Sequence, residues 1–187
     1  MSKKAVLVTG GFDPIHKGHI EYLREAKRLG DILYVGLNSD HWLTRKKGQP
    51  FMNLENRAIV MQSLSMVDEV IIFNDEDDTS CHAIYQALQF YDEVIFANGG
   101  DRIITNIPEY DTFKDDDRVK FVCNVGGDKT ESSSWLLDKW KSPSTIRKWG
   151  YYKDLYLGKG FKVKELVIKP FSCLSMQRHE HLSLIHI

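Results

Sequence analysis

The stretch Ala5-Val-Leu-Val-Thr-Gly-Gly-Phe-Asp-Pro-Ile-His-Lys-Gly-His19 decides the fold. Ala5 to Thr9 is a short apolar run with β-branched residues, and Gly10-Gly11 ends it. From Gly18 to Leu29 the apolar positions Ile20, Leu23, Ala26 and Leu29 recur at helical spacing. The pattern is strand, glycine loop, helix. Gly30-Asp31 closes the helix and Ile32-Leu-Tyr-Val-Gly-Leu37 follows as a second buried strand, so a helical crossover joins two parallel strands.

Outward from this unit the alternation continues. It predicts a helix over Leu54 to Met66, a strand Glu69 to Phe73, a helix Cys81 to Phe90, and strands at Glu93 to Ala97 and Val119 to Val122. Ser132-Ser133-Ser134 then opens a last helix through Trp135 to Trp140, with hydroxyls where caps belong. The fold class is α/β, a doubly wound parallel sheet with a short β-rich C-terminal extension. The expected division is one domain over 1–141, a linker at 142–146 around Ser-Pro-Ser-Thr, and a partial β segment over 147–187, where Phe161 to Lys169 alternates as a strand. Two acidic runs, Asp75 to Asp78 and Asp115 to Asp117, read as solvated loops.

The length of 187 residues suits a domain of roughly 100–150 residues plus a short segment, and 42% apolar content is enough to bury its core. A formal net charge of −1 leaves no basic surface for general nucleic-acid binding, so any phosphate is bound at a local site. No apolar run approaches the ~20 residues of a membrane helix, and Met1-Ser-Lys-Lys4 leads straight into a strand; a cytoplasmic protein without membrane or nucleic-acid partners is expected. Cys81, Cys123 and Cys173 are odd in number and widely spaced, which reads as buried or incidental thiols.

In an open parallel sheet ligands bind beyond the C-terminal ends of the strands, where Gly10 to His19 lies. Its glycines allow close backbone approach, and the next helix presents unpaired N–H groups and a positive dipole end that favour phosphate. His16 and His19, three apart, project from one face and reach the same phosphate group. Lys17 between them faces solvent.

The residues Gly10-Gly11-Phe12-Asp13 and His16-Lys17-Gly18-His19 resemble the signature of the cytidylyltransferase-like nucleotidyltransferase superfamily, which includes glycerol-3-phosphate cytidylyltransferase and the adenylyltransferase domain of ADP-heptose synthesis. The likeness covers about the first 140 residues. Gly36-Leu-Asn-Ser-Asp40 resembles the family's second strand end, Arg45-Lys46-Lys47-Gly48 its basic loop, and Asn56-Arg57 its arginine-bearing helix start. Gly99-Gly100-Asp101 resembles the loop after the fourth strand, and Thr130 to Ser134 the hydroxyl-rich segment beside the triphosphate.

The resemblance implies a Rossmann-like fold and transfer of CMP or AMP from CTP or ATP to a small phosphorylated polyol or sugar phosphate, with release of pyrophosphate. An acceptor phosphate oxygen attacks the α-phosphorus, and positioning with charge neutralisation does most of the work. His16 and His19, as proton-bearing imidazoles, are the expected catalytic donors, with Lys46 bridging the phosphates and Lys47 the competing assignment. Phosphate or nucleotide contacts fall to Gly10, Gly11, Phe12, Gly18, Gly100, Asp101, Ser132, Ser133 and Ser134. Arg57 is either a phosphate clamp or a surface salt-bridge partner. Asp13 either approaches the metal-bound phosphates or, followed by Pro14, shapes a turn. Asn98 to Arg102 lines the base or acceptor pocket. Mg2+ is the expected cofactor, carried by the triphosphate, and homodimerisation is implied by the resemblance. The alternative from another class is a non-catalytic nucleotide-binding module serving as scaffold for the β tail.

In the tail, Arg147-Lys-Trp-Gly-Tyr-Tyr152 and Leu174-Ser-Met-Gln-Arg-His-Glu-His181 resemble the opening of a cupin domain of the type II mannose-6-phosphate isomerase group, which makes His179 and His181 candidate metal ligands. Leu182-Ser-Leu-Ile-His-Ile187 departs from that family's pattern and the remaining strands do not follow, as a truncated or mis-joined reading frame would produce. Two histidines are short of the three or four ligands of a tight transition-metal site.

Overall fold

The computed structural model describes residues 4–100, 102–127, 131–141 and 144–174. The chain divides into two compact units, Met1–Trp135 and Leu136–Ile187. In the first, strands β1 (Lys4–Gly10), β2 (Ile32–Leu37), β3 (Glu69–Ile72), β4 (Glu93–Gly99) and β5 (Val119–Val125) form one sheet in the order β3-β2-β1-β4-β5. Every pairing is parallel. Between the strands run helices α1 (Lys17–Lys27), α2 (Asp40–Lys47), α3 (Leu54–Gln62), α4 (Cys81–Ala87) and α5 (Pro108–Phe113); α6 (Ser133–Lys141) begins in this unit.

The side chains of β1 explain both layers. Val6 and Val8 face one side with Leu33, Val35 and Ile95, where Leu23 and Ala26 of α1 and Met61 of α3 cover them. Leu7 faces the other side with Tyr34, Val94 and Phe96, under Ala83, Ile84 and Ala87 of α4 and Phe113 of α5. A strand covered on both faces is apolar at every position, hence the unbroken run in the sequence. The chain winds outward from β1 through β2 to β3 and returns to place β4 on the other flank of β1. That reversal opens a crevice at the tips of β1 and β4.

Several boundaries differ from the sequence reading. Arg45, Lys46 and Lys47 lie in the last turn of a helix, α2, and not in a loop. Ser39 caps its start by accepting the Trp42 N–H, Gly48 at φ 87° ends it, and the three cations complement the negative helix end. Helix α3 stops at Gln62, and Leu64, Met66 and Val67 reach the core through turns instead. Helix α4 ends at Ala87; β4 and β5 extend to Gly99 and Val125. The first acidic run is not wholly solvated: Asp75 is buried and accepts from the Asn38 amide and from both the N–H and hydroxyl of Ser39.

In the second unit β6 (Ser144–Arg147), β7 (Gly150–Gly158) and β8 (Phe161–Ile168) form an antiparallel sheet in that order. Ser144 to Ile146, read as linker, are therefore strand, because their backbone pairs with Tyr151 to Lys153. Cys173 is an exposed thiol, and all three cysteines are free, consistent with incidental thiols. No described helix is long and apolar enough to cross a membrane.

Candidate active site

A cleft of about 380 Å³ occupies the crevice at the strand tips, within the usual range for small-molecule sites. Gly10, Gly11, Phe12, His16, Gly18, His19, Lys46, Lys47, Gly100, Ser132, Ser133 and Ser134, scattered over the sequence, all line it. Asn98, Gly99 and Arg102 line it as well. Asp101, His179 and His181 lie outside the described residues.

The loop after β1 is built to bring two imidazoles together. His16 is the N-cap of α1, extended at φ −148°, and its carbonyl accepts the N–H groups of His19 and Ile20. It thus stands just outside the helix, and its ring stacks on that of His19 with centroids 3.7 Å apart and planes at 26°. A Cβ at Gly18 would press on the His16 ring at 3.2 Å, and one at Gly11 would meet Leu43 at 2.7 Å, so both glycines make room by lacking a side chain. Phe12 supports His19 edge-on, 5.0 Å between ring centres.

Burial is the main reason His19 has its pKa pushed down to about 3; the neighbouring His16 and Lys47 charges add to it. His19 is therefore a neutral imidazole with a single N–H to donate near neutral pH. The Glu131 carboxyl lies 3.7 Å from Nδ1 of His16. Lys47 donates to the Asp13 carbonyl at 2.9 Å. Burial lowers the Lys47 pKa, and Asp13 opposes that shift. Lys46 instead holds its ammonium 4.2 Å from the centre of the Trp42 indole, at the cleft wall.

Two residues whose sequence readings include phosphate contact serve the fold instead, Asp13 in the turn that is its other reading. Arg57 is 1% exposed and sits neither at the cleft nor at the surface. Its guanidinium donates to the carbonyls of Met52, Gly11 and Asn38 and to Asp40. A side chain with four donors committed to the fold is a brace between the glycine loop and the start of α2. Asp13 is fully buried and accepts the N–H groups of Phe51 and Met52, which fixes the turn. The serines also have local duties: Ser132 accepts the Trp135 N–H, and Ser133 donates to the Pro14 carbonyl.

The sequence reading missed a second wall of the cleft, made by Thr9, Asp78, Ser80 and Glu109. Ser80 precedes α4, and Pro108-Glu109 opens α5. Proline followed by an acid is a helix-start signal, but its place beside the crevice is tertiary information. Among the described residues no group of three or more His, Cys, Asp or Glu side chains is arranged to hold a metal ion.

Residues 7–164 match the family model described as cytidylyltransferase-like. The chain is 49% identical over 89 residues to the bifunctional protein HldE of Helicobacter pylori strain P12, which covers 46% of this chain and 19% of that protein. It is 35% identical over 124 residues to the bifunctional protein HldE of Aliarcobacter butzleri strain RM4018, covering 65% and 25% respectively. The chain thus spans a quarter or less of the length of these relatives. The lipopolysaccharide core biosynthesis protein of Thermoplasma volcanium GSS1 superposes with a TM-score of 0.53 at 27% identity, over 65% of this chain and 96% of that one.

Proposed function

The chain belongs to the cytidylyltransferase-like family, and from that premise we propose that it is a nucleotidyltransferase whose cleft transfers an adenylyl group from ATP to the phosphate of a sugar phosphate. The likeness to HldE and to a lipopolysaccharide core biosynthesis protein supports this choice of substrates. The observation that carries it is the stacked pair His16 and His19 at the N-terminus of α1, in the cleft that the serines opening α6 also line.

An oxygen of the sugar phosphate forms a bond to the α-phosphorus as the bond from that phosphorus to the β-phosphate oxygen breaks. The electron pair leaves with pyrophosphate, and no protein nucleophile takes part. Negative charge builds on the non-bridging and leaving oxygens, where fixed donors are worth most. Neutral His19 offers one N–H without the repulsion a second cation would create beside Lys47. His16, the amides of the first turn of α1 and the Lys47 ammonium supply further donors, and Lys46 lies near enough at the wall to meet an acceptor phosphate. Magnesium enters with the triphosphate, which itself supplies most of the ion's ligands.

The test is pyrophosphate release with MgATP or MgCTP against hexose 1-phosphates, a heptose 1-phosphate and glycerol 3-phosphate, preceded by a thermal shift with each nucleotide. ATP raises the melting temperature in proportion to occupancy, and turnover appears with ATP and a sugar phosphate. Turnover with CTP and glycerol 3-phosphate instead reassigns both substrates. A protein that neither nucleotide stabilises has no phosphate site at Gly10 to His19.

A further inference from the structure

The cleft is chemically two-sided. Beside α1 and α2 it carries imidazoles and lysines; at the tip of β1 its other wall carries hydroxyl and carboxyl groups. There the hydroxyls of Thr9 and Ser80 share a hydrogen bond of 2.9 Å, and Glu109 accepts the Ser80 N–H on Oε1 at 2.6 Å. Glu109 is only 4% exposed, yet its other oxygen, Oε2, is buried without a hydrogen-bond partner. Buried polar atoms in folded proteins almost always find partners, and an orphaned carboxyl oxygen in a cleft wall calls for one. A carboxyl that accepts, set beside the Thr9 and Ser80 hydroxyls, suits a ligand's hydroxyl rather than its phosphate.

We propose that Glu109, supported by Ser80 and Thr9, is a specificity-determining residue that accepts a hydrogen bond from a hydroxyl of the sugar-phosphate acceptor. The inference rests on the sugar-phosphate reading of the same cleft. A ligand hydroxyl that donates to Oε2 gives it the partner it lacks, and an acceptor lacking that hydroxyl leaves the oxygen orphaned. Sites of this construction discriminate strongly against deoxy analogues.

The experiment compares the wild type with Glu109→Gln, which keeps an acceptor for the Ser80 N–H and reverses polarity at the second position. Both are assayed with ATP and with D-mannose 1-phosphate, D-glucose 1-phosphate and their monodeoxy counterparts; 3′-deoxy-ATP serves as the nucleotide control. In the wild type one monodeoxy sugar phosphate loses roughly tenfold or more in kcat/KM, as expected when a buried acceptor is left unsatisfied. In Glu109→Gln the KM for the parent sugar phosphate rises roughly tenfold, the KM for ATP stays within about twofold, and the deoxy penalty shrinks to less than about threefold. An undiminished deoxy penalty in the variant overturns the assignment, as does a loss that appears in the KM for ATP and couples to 3′-deoxy-ATP. If the wild type binds ATP but turns over no sugar phosphate, the acceptor reading fails and takes the Glu109 assignment with it. If Glu109→Gln melts too low to assay, Ser80→Ala, which removes a hydroxyl from the same wall and leaves its amide in place, is expected to raise the sugar-phosphate KM while sparing that of ATP; an unchanged KM overturns the proposal.

Discussion

The Ser133 hydroxyl donates to the Pro14 carbonyl at 2.9 Å across 119 residues of sequence. This bond ties the start of α6 to the loop that carries His16, so two segments that line the cleft are held in one register. Ser133 is itself buried, which keeps water from replacing it.

Ser133→Ala removes that tie and leaves the Pro14 carbonyl without its donor. The expected cost is about 1 kcal/mol of stability, read from urea unfolding midpoints, together with a raised KM for ATP. A variant with wild-type KM would show that the tie serves the fold alone.

The state of His19 sets a pH dependence. Its folded pKa, depressed to about 3 by burial and then by His16 and Lys47, lies below the ordinary value of 6.5. As pH falls through 6.5 the unfolded chain binds a proton here that the folded protein refuses until about 3. The contribution of a neutral buried His19 is therefore fully present above pH 6.5 and is lost on acidification, at about 1.4 kcal/mol per pH unit. The difference in unfolding free energy between wild type and His19→Asn should narrow from about pH 7 to about pH 5. A constant difference would place the His19 titration in the ordinary range.

Deleting either imidazole is expected to lower kcat by roughly 10²–10³, the usual cost of a transition-state donor. Lys47→Met should cost more than Lys46→Met, because Lys47 is the lysine whose charge His19 feels. Lys47→Met should also raise the His19 pKa while leaving it below 6.5, since burial is the larger cause. Pyrophosphate release gives the rates, and the imidazole proton resonances followed by NMR give the titration.

Arg57→Leu strands the carbonyls of Gly11, Asn38 and Met52 and unpairs Asp40. The expected loss is about 3 kcal/mol or more, visible as a lower denaturation midpoint. Arg57→Lys recovers little of it, because one ammonium cannot reproduce a planar fork. Near-wild-type stability with a raised KM for ATP would return Arg57 to the phosphate site.

The histidine motif and the strands were legible because their signals are local. A buried parallel strand must be apolar at every position, and a glycine loop before a helix is the local recipe for phosphate approach. Helix α2 was not legible in the same way. Its apolar pattern is sparse, with Leu43 its one buried residue, and its stability comes from the Ser39 cap and from the Arg57 brace on Asp40. Arg57 itself reads as a phosphate clamp or a surface cation, since nothing local tells that the carbonyls of the remote Gly11 and Asn38 converge on it with that of Met52.

The sequence by itself determined the alternation of strand and helix, the position of the first glycine loop and the pairing of His16 with His19, because each follows from side-chain period or from neighbours within one turn. Tertiary structure decided what required distant segments to meet. It set the strand order β3-β2-β1-β4-β5 that opens the crevice, the burial that keeps His19 neutral, the tie from Ser133 to Pro14, and the wall of Thr9, Ser80 and Glu109. Burial and hydrogen bonding between remote residues depend on which surfaces the folded chain closes together, and no local pattern encodes that.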